Sequence, residues 1–205
     1  MSEGWQSPRA LLRRHGLQAK KSWGQCFLHD RDALARIAAL AAVDDRTVVE
    51  IGAGLGHLTR QLCARARRVL ALERDRELAA VLRLELADLP NLDIVEDNAL
   101  TFELGALAGR PVDVVGNLPY NISSPLLFHL LDQGPGSLRA ATVMLQRELA
   151  ERLAAVPGTR GYGAPSVLVQ RLARVRWGFV VPPRAFTPAP RVASAVIRIE
   201  LRQRP

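Results

Sequence analysis

The chain has 205 residues, 48% of them hydrophobic, with 28 Lys plus Arg against 20 Asp plus Glu and a net charge of +8. That length supports one fully cored domain and excludes a second large one, and the positive balance favours a polyanionic partner. Two cysteines, Cys26 and Cys63, exclude a disulfide framework, the histidines lack metal-ligand spacing, and no segment approaches the ~20 apolar residues that span a bilayer, so a soluble cytoplasmic protein without a metal is expected.

Residues 1–29 carry Arg9, Arg13, Arg14, Lys20 and Lys21 and read as a basic N-terminal arm that orders near nucleic acid, ending in a loop that caps a cofactor. Residues 30–205 read as a single domain. Its pattern predicts a helix over Asp30–Ala42, a strand over Thr47–Ile51, a helix from Leu58, a strand over Val69–Leu72 and a helix over Arg76–Leu86. Strands Leu92–Val95 and Val112–Val115, helix Pro125–Leu131 and strand Ala140–Leu145 follow. This alternation implies a mostly parallel sheet with helices on both faces. Helices Arg147–Ala155 and Pro165–Ala173, strand Arg174–Val180, a proline-rich loop Pro182–Pro190 and strand Ala193–Leu201 complete the chain, the last two strands suggesting an antiparallel edge.

The first strand runs into Glu50-Ile51-Gly52-Ala53-Gly54-Leu55-Gly56. Glycines there make a tight strand-to-helix turn and let backbone pass close to a ligand, a device shared by nicotinamide, flavin and S-adenosylmethionine proteins. The G-x-G-x-G spacing, with an acidic residue two before the first glycine, leans toward S-adenosylmethionine, because a dinucleotide turn has G-x-G-x-x-G. Glu73 closes the second strand about 20 residues on, where a carboxylate accepts both ribose hydroxyls; the plain alternative is a surface carboxylate paired with Arg74 or Arg76. Asp97 and Asn98 close the third, placed to accept from an adenine amine.

Past mid-chain comes Gly116-Asn117-Leu118-Pro119-Tyr120. An amide oxygen and a backbone carbonyl can accept the two hydrogens of an exocyclic amine while Tyr120 stacks on the base. The same residues also make an ordinary turn. Glycine turn, ribose acid, adenine-facing pair and base-binding loop fall in the order that an S-adenosylmethionine-dependent amine methyltransferase of Rossmann-like α/β fold requires.

With Lys20-Lys21-Ser22-Trp23-Gly24-Gln25-Cys26-Phe27-Leu28, the stretch from Gly116 to Ser124, Gly161-Tyr162-Gly163 and the run from Pro182 to Ser194, the chain resembles the rRNA adenine dimethyltransferase family in its small-subunit branch. The resemblance implies two methylations on each of two adjacent adenosines in the 3′-terminal hairpin of small-subunit (16S) rRNA, by a monomer during ribosome assembly. It implies a catalytic set of Asn117, Leu118, Pro119, Tyr120 and Phe186, the last as a second stacking ring. The cofactor set is Gln25, Cys26, Leu28, Glu50, Gly52, Gly54, Gly56, Glu73, Arg74, Asp97, Asn98 and Asn117. Three departures stand out: Cys26 replaces an asparagine, Asn98 replaces an aspartate, and the family's C-terminal helical domain is absent after Pro205. The alternatives are a large-subunit (23S) dimethyltransferase of the macrolide-resistance type and an S-adenosylmethionine- or RNA-binding assembly factor with little catalysis.

Overall fold

Continuous aliphatic runs, such as Val112–Val115 around a single aspartate, suit strands covered on both faces. In the computed structural model, which describes residues 5–105 and 111–202, the strands are β1 (Phe27–Leu28), β2 (Thr47–Ile51), β3 (Arg68–Leu72), β4 (Leu92–Val95), β5 (Val112–Asn117), β6 (Leu138–Gln146), β7 (Ala173–Val181), β8 (Phe186–Thr187) and β9 (Ser194–Leu201). The first four residues of the expected arm and the last three of the expected domain lie outside the described residues. Seven strands form one sheet in the order β4-β3-β2-β5-β6-β9-β7, while β1 and β8 make a separate two-stranded pair. Pairing is parallel from β4 to β6, and β9 runs antiparallel to both β6 and β7. The antiparallel edge therefore consists of β9 and β7, with the last strand in sequence lying one place in from the rim.

Alternate residues of each strand feed two cores. Val49, Ile51, Val114, Val143 and Ile197 pack with α5 (Ser123–Asp132), α6 (Arg147–Ala154) and α7 (Ala164–Leu172), while Val48, Val115, Met144 and Val196 pack with α2 (Arg31–Ala41) and α3 (His57–Cys63). Each fully buried aliphatic side chain contributes roughly 1.5–3 kcal/mol. Asp30 caps α2 by accepting from Ala33 N at 2.9 Å, and Asp75 caps α4 (Arg76–Glu85) by accepting from Glu77 N at 3.2 Å. The other end of α2 is closed from the sheet, where buried Arg198 of β9 donates to the Leu40 and Ala41 carbonyls and pairs with Glu200 at 2.8 Å.

The basic start differs from the expected arm. Residues Pro8–Arg14 form α1, capped by the Ser7 hydroxyl, and Leu11 and Leu12 pack on Phe27, Leu55, Leu78 and Val81. Arg14 and His15 both hold Glu85 on α4, at 3.0 and 2.7 Å. Its apolar spacing at Leu11 and Leu12 is enough to dock this segment, so only its arginine face meets solvent. Among the described residues no helix is long and apolar enough to cross a membrane.

β2 and β5 are neighbours although β3 and β4 intervene in sequence. Strand order reverses between them, and such a switch opens a crevice at the carboxyl ends where α/β sheets bind ligands.

Candidate active site

Beyond Ile51 the chain turns through Gly52 and Gly54, both left-handed, at φ +70° and +60°. A side chain would be strained there, and a Cβ on Gly54 would stand 3.2 Å from the Phe27 ring. The backbone of this turn reaches the end of β3. There Glu73, 8% exposed, accepts from Gly54 N and Asp75 N, each at 2.9 Å. Burial raises its pKa while these N–H donors oppose the rise, and no ion pair joins it to Arg74 or Arg76 among the described residues. Glu50 is 1% exposed, and its Oε2 has no hydrogen-bond partner among the described residues. Burial pushes its pKa up to about 8, and the nearby Glu73 charge adds to the rise.

A loop crosses over these strand ends. Gln25 accepts from Lys20 N at 2.8 Å and donates to Asp75 Oδ2 at 2.8 Å, and the Lys20 ammonium sits 2.8 Å from the same carboxylate. Burial alone would raise the Asp75 carboxyl, and the bonds from Lys20 and Gln25 more than offset it, holding it below the ordinary aspartate value. Asp75 thus joins the loop to the Glu73 turn. The Trp23 ring lies beside Lys20 and Arg74, whose cationic groups are 5.3 and 5.2 Å from its centre.

On the other side of the switch, β5 approaches β2 closely at Gly116, where a Cβ would stand 2.6 Å from the Ile51 carbonyl oxygen. Only glycine permits that approach, which sets Asn117 opposite the glycine turn. Asn117 donates its amide Nδ2 to the Cys26 carbonyl at 3.0 Å. A carbonyl only accepts, so this contact fixes the amide's orientation and leaves Oδ1 as the group to accept from a ligand. The bond uses the backbone of Cys26, not its side chain. Leu118 N donates to the Met144 carbonyl at 3.1 Å, and Tyr120 Oη lies 2.6 Å from Ser194 Oγ. Burial raises the Tyr120 pKa, keeping the phenol protonated.

These pieces line one cavity of ≈ 320 Å³. Gln25, Cys26, Leu28, Glu50, Gly52, Gly54, Glu73, Arg74, Asp97, Asn98, Asn117, Leu118, Pro119 and Tyr120 all border it. Two expected residues do not. Gly56, at φ +81°, faces α4, where a Cβ would meet Leu86 Cδ1 at 2.7 Å, so this glycine serves helix packing. Phe186 is 3% exposed and belongs to the core beside Leu28, with which β8 pairs it. Asn98 departs in detail: its Oδ1 accepts from Leu100 N at 3.2 Å, and Asp97 Oδ1 from Asn98 N at 2.6 Å, leaving one oxygen lone pair on Asn98 and Asp97 Oδ2 for a ligand. Trp23, His57 and Asn121 also border the cavity, although the sequence assigned them no binding or catalytic role. For Trp23 the signal was present, an aromatic between two lysines and the Gly24-Gln25 turn.

The donor set fits S-adenosylmethionine. An orphaned carboxyl oxygen in a buried wall, Glu50 Oε2, calls for a donor or a cation. The glycine turn admits close backbone approach, and the held Glu73 carboxylate keeps lone pairs for vicinal hydroxyls.

Residues 16–205 match the family model described as ribosomal RNA adenine dimethylase. The chain belongs to this family. The ribosomal RNA small subunit methyltransferase A of Anaeromyxobacter dehalogenans (strain 2CP-C) is 49% identical over 211 residues, covering 96% of this chain and 72% of that protein. Among solved structures, the 23S rRNA methyltransferase ErmE superposes with a TM-score of 0.78 at 35% identity, over 87% of this chain and 71% of that one. A dimethyladenosine transferase from Plasmodium falciparum follows at 0.76 and 28% identity, over 86% and 63%. The residues at the ends of β2 and β3 and those at the end of β5 line this cavity from opposite sides of the strand-order switch.

Proposed function

We propose that this adenine dimethylase methylates the exocyclic amines of two adjacent adenosines in the 3′-terminal hairpin of small-subunit rRNA, with S-adenosylmethionine as donor. The observation that carries this reading is the Asn117 amide, pinned through Nδ2 to the Cys26 carbonyl beside the Tyr120 ring. When bound, S-adenosylmethionine supplies an electrophilic methyl group on a sulfonium. Glu73 would hold the ribose hydroxyls, Asp97 and Asn98 would take the adenine amine of the donor, and Glu50, on giving up the proton it keeps in the free site, would offset the donor's positive charge. Asn117 Oδ1, with the Leu118 carbonyl, accepts the two hydrogens of the target amine, which leaves the nitrogen lone pair directed away from those acceptors and into the cavity. Tyr120 provides the stacking face for a base drawn out of its helix.

Alignment and exclusion of water supply most of the rate in such a displacement. The amine's proton leaves to solvent after attack, and rebinding of the monomethyl product permits the second transfer. Phe186 has no part in this arrangement while its ring fills the core; burial of such a ring is worth roughly 1.5–3 kcal/mol.

The small-subunit assignment is supported by the name of the 49% identical relative and by Leu118 with the Asn121-Ile122-Ser123-Ser124-Pro125 continuation. It is tested by transfer of labelled methyl groups to undermethylated small ribosomal subunits and, in parallel, to protein-free large-subunit rRNA. Label in two adjacent adenosines of the small subunit is expected. Label confined to large-subunit rRNA would reassign the substrate.

A further inference from the structure

Tyr120 projects from a loop, yet a stacking face is useful only if the ring keeps its place as a base enters and leaves. Its Oη lies on the ring's long axis, so a bond there fastens the end opposite Cβ and gives the ring two points of attachment. The partner is Ser194, fully buried, whose Oγ is 2.6 Å away. Among the described residues Ser194 Oγ makes no other hydrogen bond.

The fold explains how a residue 74 positions later comes to stand there. Parallel strands β2, β5 and β6 present their carboxyl ends to the crevice, so a strand inserted antiparallel beside them presents its amino end. β9 is that strand, and Ser194 is its first residue, in register with Gln146 at the carboxyl end of β6. β6 also takes Leu118 N through the Met144 carbonyl. The base-binding loop is thus hung from β6 at Leu118 and from β9 at Tyr120.

We propose that Ser194 is a positioning residue for base recognition, holding the Tyr120 ring by its hydroxyl so that the stacking face is preformed; this rests on the reading of Tyr120 as the stacking residue. Ser194 itself does not border the cavity.

A double-mutant cycle with Ser194→Ala and Tyr120→Phe, which keeps the ring and removes only the hydroxyl, isolates the contact. Each single variant should lower kcat/KM for undermethylated small subunits about three- to tenfold, in line with one buried hydrogen bond. The double variant should lose no more than either single one. Affinity for S-adenosylmethionine should stay near the parent's, and the melting temperature should fall by a few degrees at most, as the loss of one buried hydrogen bond allows. Losses that multiply, no loss in Ser194→Ala, or an equal loss of donor affinity would each overturn the proposal.

A second readout needs no turnover. The chain has two tyrosines, so in a Tyr162→Phe background a 13Cζ-labelled tyrosine gives one resonance, that of Tyr120. Ser194→Ala should shift it, and an unmoved resonance would show that the hydroxyls do not bond. A parent that transfers no methyl group would defeat the functional reading instead, while this resonance still reports on the hold.

Discussion

At the end of β3 the Glu73 carboxylate is fastened by near neighbours in the chain: it takes the N–H of Asp75, two residues on, and of Gly54, 19 residues back. At the end of β5 the fastening is remote. Asn117 is held by the Cys26 carbonyl across 91 residues and Tyr120 by Ser194 across 74. The Glu73 turn is therefore assembled by one strand-turn-helix unit and its neighbour, with the N-terminal loop joined to it through Asp75, whereas the base side exists only once that loop and β9 have docked. Substitution of Ser194, far from Tyr120 in sequence, should damage base handling while leaving donor binding intact.

The largest effect that would sharpen this contrast is expected at Glu73. In Glu73→Gln an amide NH2 must face one of two backbone N–H donors, and a charge-assisted contact to the ribose is lost. Affinity for S-adenosylmethionine, measured by titration calorimetry, should fall about ten- to a hundredfold. Tyr120→Ala should give the opposite pattern, with kcat/KM for the small subunit down about five- to a hundredfold from lost stacking and donor affinity near the parent's. Equal losses in both properties for either variant would break the contrast.

Glu50 offers a pH test on the donor side alone. Its pKa in the folded protein is about 8 against an ordinary 4.5, so in that window the folded state keeps a proton the unfolded state has lost. Stability of the free protein should consequently fall as pH rises from about 4.5 toward 8, by up to about 1.4 kcal/mol per pH unit from this group. Denaturant unfolding of Glu50→Gln across that range should show a correspondingly shallower decline. The smallest effect is expected for Cys26→Asn. Because Asn117 uses the Cys26 carbonyl, turnover should change by less than about threefold, while a regained polar contact tightens donor binding by on the order of 1 kcal/mol. A large change in turnover would mean that the side chain at this position, rather than its carbonyl, orients the amide.

Much of the cavity wall at the ends of β2, β3 and β4 was legible in the sequence because its signals are local. The Glu50-to-Gly54 turn, Glu73 after Leu72, and Asp97 with Asn98 after Val95 each follow an apolar run at the place where a parallel strand must end. Strands β2 (Thr47–Ile51) and β4 (Leu92–Val95) lie where the pattern put them, and several other boundaries moved by a residue or two as caps such as Asp30 and sheet pairing took over. What escaped was non-local. The two-residue β1 and β8 are too short to carry a period, yet their pairing draws Phe186 into the core, against the expectation that its ring stacks on the base. Gly56 matched a motif by spacing, but the side chains of α4 decide its role. Neither the Asn117–Cys26 nor the Tyr120–Ser194 bond leaves any mark on periodicity, since each joins distant parts of the chain.

The central claim, that an amide pinned by the N-terminal loop directs methylation of an adenine amine, meets its most direct test in mass analysis of nucleosides from undermethylated small subunits treated with S-adenosylmethionine and either the parent or Asn117→Ala. The parent should yield N6,N6-dimethyladenosine, and the variant should yield at least a hundredfold less, the order of loss expected when reacting groups are misplaced by about an ångström. Dimethyladenosine formed by Asn117→Ala at the parent's rate would contradict the account.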